Sequence, residues 1–153
     1  MQLLSEGCAA PFFEGTDQYG AKIKLSDFKG KRVALYFYPK DNTSGCSAEA
    51  CSLRDNYHVL QKEGYVIIGI SPDSINSHKK FVDKYSLPFS LIADESKKIL
   101  TDYGVWGEKQ MYGRKYMGVL RTTFIIDENG VIESIISKVN TSQHGKQILD
   151  LKK

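Results

Sequence analysis

The chain has 153 residues, 41% of them hydrophobic and 25% charged, enough for one globular unit with a full core and too apolar for disorder. Its net charge of +3 arises from 21 basic and 18 acidic residues without a basic block, which argues against nucleic acid as a partner. Apolar stretches such as residues 66–70 are too short to cross a bilayer, and the start MQLLSEGCAAPFF lacks the charged and apolar regions of an export signal. No membrane partner and a cytoplasmic location are therefore expected.

Taken in chain order, residues 18–21 read as a turn between 12–13 and 23–25. An apolar, β-branched and aromatic run at 33–38 predicts a buried strand. Residues 48–62 place Ala50, Leu53, Tyr57 and Leu60 at helical intervals. A second strand is expected at 65–70, then a helix over 74–85 opened by Asp73-Ser74. A short strand at 91–93 and a helix over 96–103 follow. Strands at 122–126 and 131–136 flank Asp127-Glu128-Asn129-Gly130, a strong hairpin signal. A closing helix is expected over 142–151. Alternating strands and helices followed by a hairpin imply an α/β fold, with a mixed sheet flanked by helices. The thioredoxin-like arrangement fits this order, which also admits other small α/β folds. With no repeat, linker or low-complexity tract, residues 1–153 read as a single domain.

Cys8, Cys46 and Cys51 are too few and too odd in number for a secreted disulfide scaffold. A close pair of cysteines points to metal binding or redox chemistry. Zinc fails on ligand count, because no second ligand pair stands at finger spacing. His58, His78 and His144 are isolated and read as solvent-facing. Cys8 reads as a small buried hydrophobe. Tyr103, Trp106, Tyr112 and Tyr116 read as ordinary packing on the active-site side of the sheet.

Cys46 follows an apolar strand and opens a helix, where unpaired N–H groups and the positive end of the macrodipole meet. Both favour a thiolate, and the magnitude matters: an ordinary thiol is only ~3% ionised at pH 7. A reaction in which negative charge builds up on a leaving atom also needs donors. The Cys46 N–H, the Thr43 hydroxyl and a nearby guanidinium are available.

Pro39, Thr43 and Cys46 reproduce the Pro-x-x-x-Thr-x-x-Cys signature of peroxiredoxins, and Gly45 to Cys51 resembles the bacterioferritin comigratory protein (peroxiredoxin Q) branch. A second block, from Tyr103-Gly104-Val105-Trp106 to Arg121-Thr122-Thr123-Phe124, resembles the same branch. The resemblance implies a thioredoxin-like fold and a thiol peroxidase acting on hydrogen peroxide and organic hydroperoxides. By that resemblance Cys46 is the peroxidatic cysteine, oxidised to sulfenic acid, and Cys51 resolves it as an intramolecular disulfide. Thr43 would hydrogen-bond thiolate and peroxide, Pro39 would shield Cys46, and Arg121 would favour the thiolate and hold substrate oxygens. The same resemblance implies thioredoxin as reductant and no cofactor or metal, and a monomer is expected. One departure is Ser44, where the branch has proline. Serine lacks proline's preset φ at the first helical turn, so a less rigid helix start is expected.

If residues 46–51 are all helical, the two Cα atoms lie roughly 8.5–9 Å apart and the side chains point ~140° apart. A disulfide needs less than about 7 Å. Closing it therefore requires part of the helix to unwind. A thioredoxin-type oxidoreductase is the alternative reading, weakened because that chemistry uses Cys-x-x-Cys. A non-catalytic binding or chaperone module of the same fold is another.

Overall fold

The structure, a computed structural model, describes residues 4–151. Seven strands form one sheet in the order β2 (Lys22–Lys24), β1 (Glu14–Thr16), β5 (Ser90–Ala93), β4 (Tyr65–Ser71), β3 (Arg32–Phe37), β8 (Thr122–Ile126) and β9 (Ile132–Ile136), and β6 (Trp106–Met111) pairs separately with β7 (Arg114–Val119). Two short strands, β1 (Glu14–Thr16) and β2 (Lys22–Lys24), flank the expected turn. The centre is β3 (Arg32–Phe37), buried at every position and parallel to β4 (Tyr65–Ser71), which is parallel to β5 (Ser90–Ala93). A strand covered on both faces has no polar side to alternate, which is why 33–38 reads as one apolar run. On its other side β3 pairs antiparallel with β8 (Thr122–Ile126), which pairs with β9 (Ile132–Ile136).

Two crossovers, β3 to β4 and β4 to β5, step the same way across the sheet. Right-handed connections must then put their helices on one face. Accordingly α1 (Ser44–Asp55), α2 (Tyr57–Lys62) and α3 (Ile75–Tyr85) share a core with Tyr36, Ile67 and Leu91, joined by Ile148 of α5 (His144–Leu149). The return from β5 to β8 crosses the opposite face, where α4 (Lys98–Asp102) packs Ile99 and Leu100 against Leu35, Phe37 and Ile70. Among the described residues, no helix is long and apolar enough to cross a membrane.

Several expectations need correction. The helix expected over 48–62 begins at Ser44 and is broken at Asn56, whose side-chain amide donates to the Ser52 carbonyl at 2.8 Å. The closing helix is six residues long and follows a 3-10 turn at Thr141–Gln143. His58 is exposed, but His78 and His144 are fully buried because each has polar partners on both ring nitrogens. The aromatics around Trp106 divide. Tyr103 is buried, whereas β6 (Trp106–Met111) and β7 (Arg114–Val119) form a hairpin that leaves Tyr112 fully exposed and Tyr116 exposed.

Candidate active site

The segment that delivers Cys46 is held before the helix begins. Leaving β3, Tyr38 is buried and its hydroxyl donates to Asp41 Oδ1 at 2.6 Å. Asp41 Oδ2 meets His78 Nδ1 at 2.7 Å and accepts from Ser77 Oγ at 2.8 Å, while its N–H donates to Asp73 at 2.8 Å. These contacts fasten the loop to α3. Asn42 then turns the chain with φ of 62°, a conformation asparagine tolerates, and its side chain accepts from Lys84 at 3.0 Å.

Thr43 caps α1 with extended backbone angles, and Ser44 is the first helical residue. Cys46 is thus in the first helical turn, among the N–H groups with no intrahelical acceptor. Its side chain is buried and its thiol is free.

Arg121 comes from the other side of the sheet. It precedes β8, and because β8 runs antiparallel to β3 with Phe37 opposite Thr122, its start lies beside the end of β3. Its Nη2 donates to Cys46 Sγ at 3.3 Å, and its Nη1 donates to Glu49 Oε1 at 2.5 Å. Gly45 makes room for this fork, since a Cβ there would sit 3.3 Å from Arg121 Nη2.

Glu49 lies one turn beyond Cys46 on the same face of α1 and is fully buried. Burial pushes its carboxyl up to about 7 against the pull of Arg121. Burial works against the Arg121 charge, but Glu49 and Cys46 outweigh it, and the guanidinium binds its proton above its ordinary range. Behind Glu49 stands His144, with Nε2 3.6 Å from Glu49 Oε2 and 2.7 Å from Thr123 Oγ1.

Cys46 and Arg121, both singled out in the sequence, are therefore in contact. Pro39 is half-buried in the loop before the helix. The exposed Thr43 donates its hydroxyl to the Lys40 carbonyl at 3.0 Å, leaving its lone pairs toward solvent or substrate. Cys51 is half-buried and free, on the same unbroken helix as Cys46. Glu49, Asp41 and His144 received no role from the sequence. Glu49 had a usable signal, its spacing of three from Cys46. His144 had none, because its place depends on how α5 docks.

A buried thiol at a helix start, facing a guanidinium pinned by a buried carboxylate, suits nucleophilic attack with charge developing nearby. The AhpC/TSA family profile matches residues 7–135. The chain belongs to the AhpC/TSA family. It is 42% identical to peroxiredoxin Bcp of Escherichia coli, over 98% of this chain and 96% of that one. It is 43% identical to peroxiredoxin Bcp of Bacillus subtilis, over 94% and 91%. Among solved structures, a cysteine-to-serine variant of Xylella fastidiosa PrxQ superposes with a TM-score of 0.91 at 27% identity, covering 98% of this chain and 96% of its own. Xanthomonas campestris bacterioferritin comigratory protein, studied for alkyl peroxide reduction, gives 0.87 at 29% identity with 95% of each chain covered. The protein is a peroxiredoxin, a peroxidase with thiol chemistry on a thioredoxin-like scaffold.

Proposed function

We propose that this peroxiredoxin reduces hydrogen peroxide and organic hydroperoxides with Cys46 as nucleophile and Cys51 as its partner, and that thioredoxin recycles it. The observation that carries the reading is the 3.3 Å contact from Arg121 to Cys46 Sγ at the start of α1. The Cys46 thiolate attacks the terminal peroxide oxygen, the O–O bond breaks, and the alkoxide or hydroxide leaves and takes up a proton. Arg121 and the Cys46 N–H stabilise the developing charge. The Thr43 hydroxyl, on the solvent side, orients the peroxide, and Pro39 limits water at the thiol.

The sulfenic acid then reacts with the Cys51 thiol: the S–OH bond breaks as an S–S bond forms, and the departing hydroxide takes up the proton released by the thiol and leaves as water. Both cysteines lie on α1, so no second chain is required. Because α1 is continuous between them, their Cα atoms stand roughly 8.5–9 Å apart and the turn must unwind first. A dithiol of thioredoxin supplies the two electrons that restore both thiols. No cofactor or metal takes part in this scheme.

The test is peroxide consumption with thioredoxin and its reductase. Cys46→Ser is expected to abolish turnover, and Cys8→Ser to keep it. Cys51→Ser is expected to consume one equivalent of peroxide, stall as sulfenic acid and over-oxidise. A dead Cys8→Ser, or a disulfide-linked dimer as the oxidised product, would overturn the scheme.

A further inference from the structure

Behind Arg121, the hydrogen bonds fix which nitrogen of His144 carries its hydrogen. The amide of Gln147 is oriented by two backbone partners: its Nε2 donates to the Lys138 carbonyl at 2.9 Å, and its Oε1 accepts from the Asn140 N–H at 3.1 Å. His144 Nδ1 meets that same Oε1 at 2.8 Å, so Nδ1 must carry a hydrogen. In the neutral ring Nε2 is then an acceptor, served by the Thr123 hydroxyl at 2.7 Å. Glu49 Oε2 faces the same nitrogen at 3.6 Å and, among the described residues, has no hydrogen-bond partner. A carboxylate oxygen and an imine nitrogen, both buried and both acceptors, stand against each other. Nε2 is already served by Thr123 and stands beyond hydrogen-bond distance of Oε2, so the carboxylate is the group without a donor, and its charge is costly there unless the pair takes up one proton.

We infer that His144 is a positioning residue for the peroxide step: it shares one proton with Glu49, and this proton leaves the charge of Arg121 free to face Cys46. The inference rests on the reading of Cys46 given above. With the proton, the Glu49–His144 pair is neutral whichever partner holds it. Without it, the pair carries one negative charge, which cancels Arg121. The charged and titratable groups around Glu49 are Arg121 before β8, His144 of α5, Cys46 of α1 and the Tyr36 hydroxyl of β3, which burial and then the Glu49 charge keep protonated.

Charge balance gives the pair its role. Before reaction the site holds a thiolate, a guanidinium and a neutral pair, which sum to zero. Attack on the peroxide turns the thiolate into a neutral sulfenic acid and releases an alkoxide, which needs a proton. If the pair yields its proton as the alkoxide becomes an alcohol, the site again sums to zero. If it does not, an unbalanced positive charge is left behind, largely out of water.

The test uses Cys51→Ser protein, so that oxidation stops at the sulfenic acid. Proton uptake is followed with an indicator dye in weak buffer during one turnover with tert-butyl hydroperoxide, at a pH where iodoacetamide labelling finds Cys46 ionised. Uptake from solvent is expected to fall well short of one proton per Cys46 oxidised. Adding Glu49→Gln, nearly isosteric and still an acceptor for Arg121, should restore a full proton. His144→Gln should move the pH at which uptake reaches its midpoint, with circular dichroism unchanged. A full proton taken up without Glu49→Gln, or the same shortfall with it, overturns the inference. An unmoved midpoint removes His144. Failure of Cys46 to oxidise at all overturns the parent reading, and this one with it.

Discussion

Arg121 and Cys46 stand 75 positions apart in sequence and 3.3 Å apart in space. The fork of Arg121 serves two partners at once, Cys46 and Glu49. Lysine has one ammonium and can serve only one of them well. Arg121→Lys is expected to slow the peroxide step by roughly 10²-fold, the loss of a donor to developing charge. Arg121→Ala is expected to slow it further and to destabilise the fold by about 1–3 kcal/mol, because Glu49 is left buried without its donor. Stopped-flow oxidation and thermal melting measure the two effects. An unchanged rate constant in both variants would remove Arg121 from the chemistry.

The raised pKa of Glu49 sets a sign for stability against pH. The folded state holds a proton on Glu49 up to about pH 7, whereas the unfolded chain loses it near the ordinary 4.5. Between these values the folded state binds more protons, so the Glu49 contribution falls as pH rises and levels off above 7. The whole effect is at most about 3 kcal/mol. His144 acts oppositely, since burial lowers its pKa and its contribution is lost as pH falls. Urea midpoints at pH 5 and pH 8 in wild type and Glu49→Gln separate the two. The wild type should lose more stability than the variant on going to the higher pH, and equal slopes would show that Glu49 is not the group responsible.

Gly145 packs so closely on the end of α1 that a methyl there would lie 2.7 Å from the Ser52 carbonyl oxygen and 2.6 Å from Asn56 Nδ2. Its N–H also donates to Ser52 Oγ at 3.0 Å. Gly145→Ala is expected to push α5 off α1 and to cost about 1–3 kcal/mol. Looser packing should also hasten disulfide closure after the sulfenic acid forms, while the peroxide step slows little. Closure that is slower in the variant would mean that the contact helps the opening rather than resisting it.

Two fixed points bracket the proposed unwinding: Asp41, held by His78 and Ser77, and Ser52, held by Gly145. Hydrogen exchange on oxidation should expose the amides of roughly residues 47–51 and spare both β3 and the helix beyond Ser52. Full protection retained across the whole helix in the oxidised protein would contradict intramolecular closure.

The strands were legible wherever burial on both faces left an unbroken apolar run, as at 33–38, 65–70 and 122–126. The β6–β7 hairpin was not, because its exposed strands mix Lys, Glu, Gln and Gly with single aromatics. Its turn carried a signal all the same: Tyr112-Gly113, with φ of 53° and 77°, occupies the two positive-φ positions of a two-residue hairpin loop. At the site, Cys46 and Arg121 could be named from their motifs. The buried histidines could not, since a lone histidine does not disclose that a carbonyl, a hydroxyl or a carboxylate will meet its ring after folding.

The stretch from Ser44 to Cys51 contains only serine, glycine, alanine, cysteine and one glutamate. Of these, only Cys46 and Ala50 belong to the apolar core on that face, whereas Leu53 and Leu60 lie beyond the fixed point at Ser52. Uncoiling this stretch takes two small side chains away from their neighbours and returns Glu49 to water. The stretch has no large ring or branched chain of its own to displace. A leucine at either small position would tie the stretch down by about 1.5–3 kcal/mol if it fitted. In the proposed cycle, this thrift in carbon atoms would let the turn melt and reform while the rest of the molecule keeps its shape.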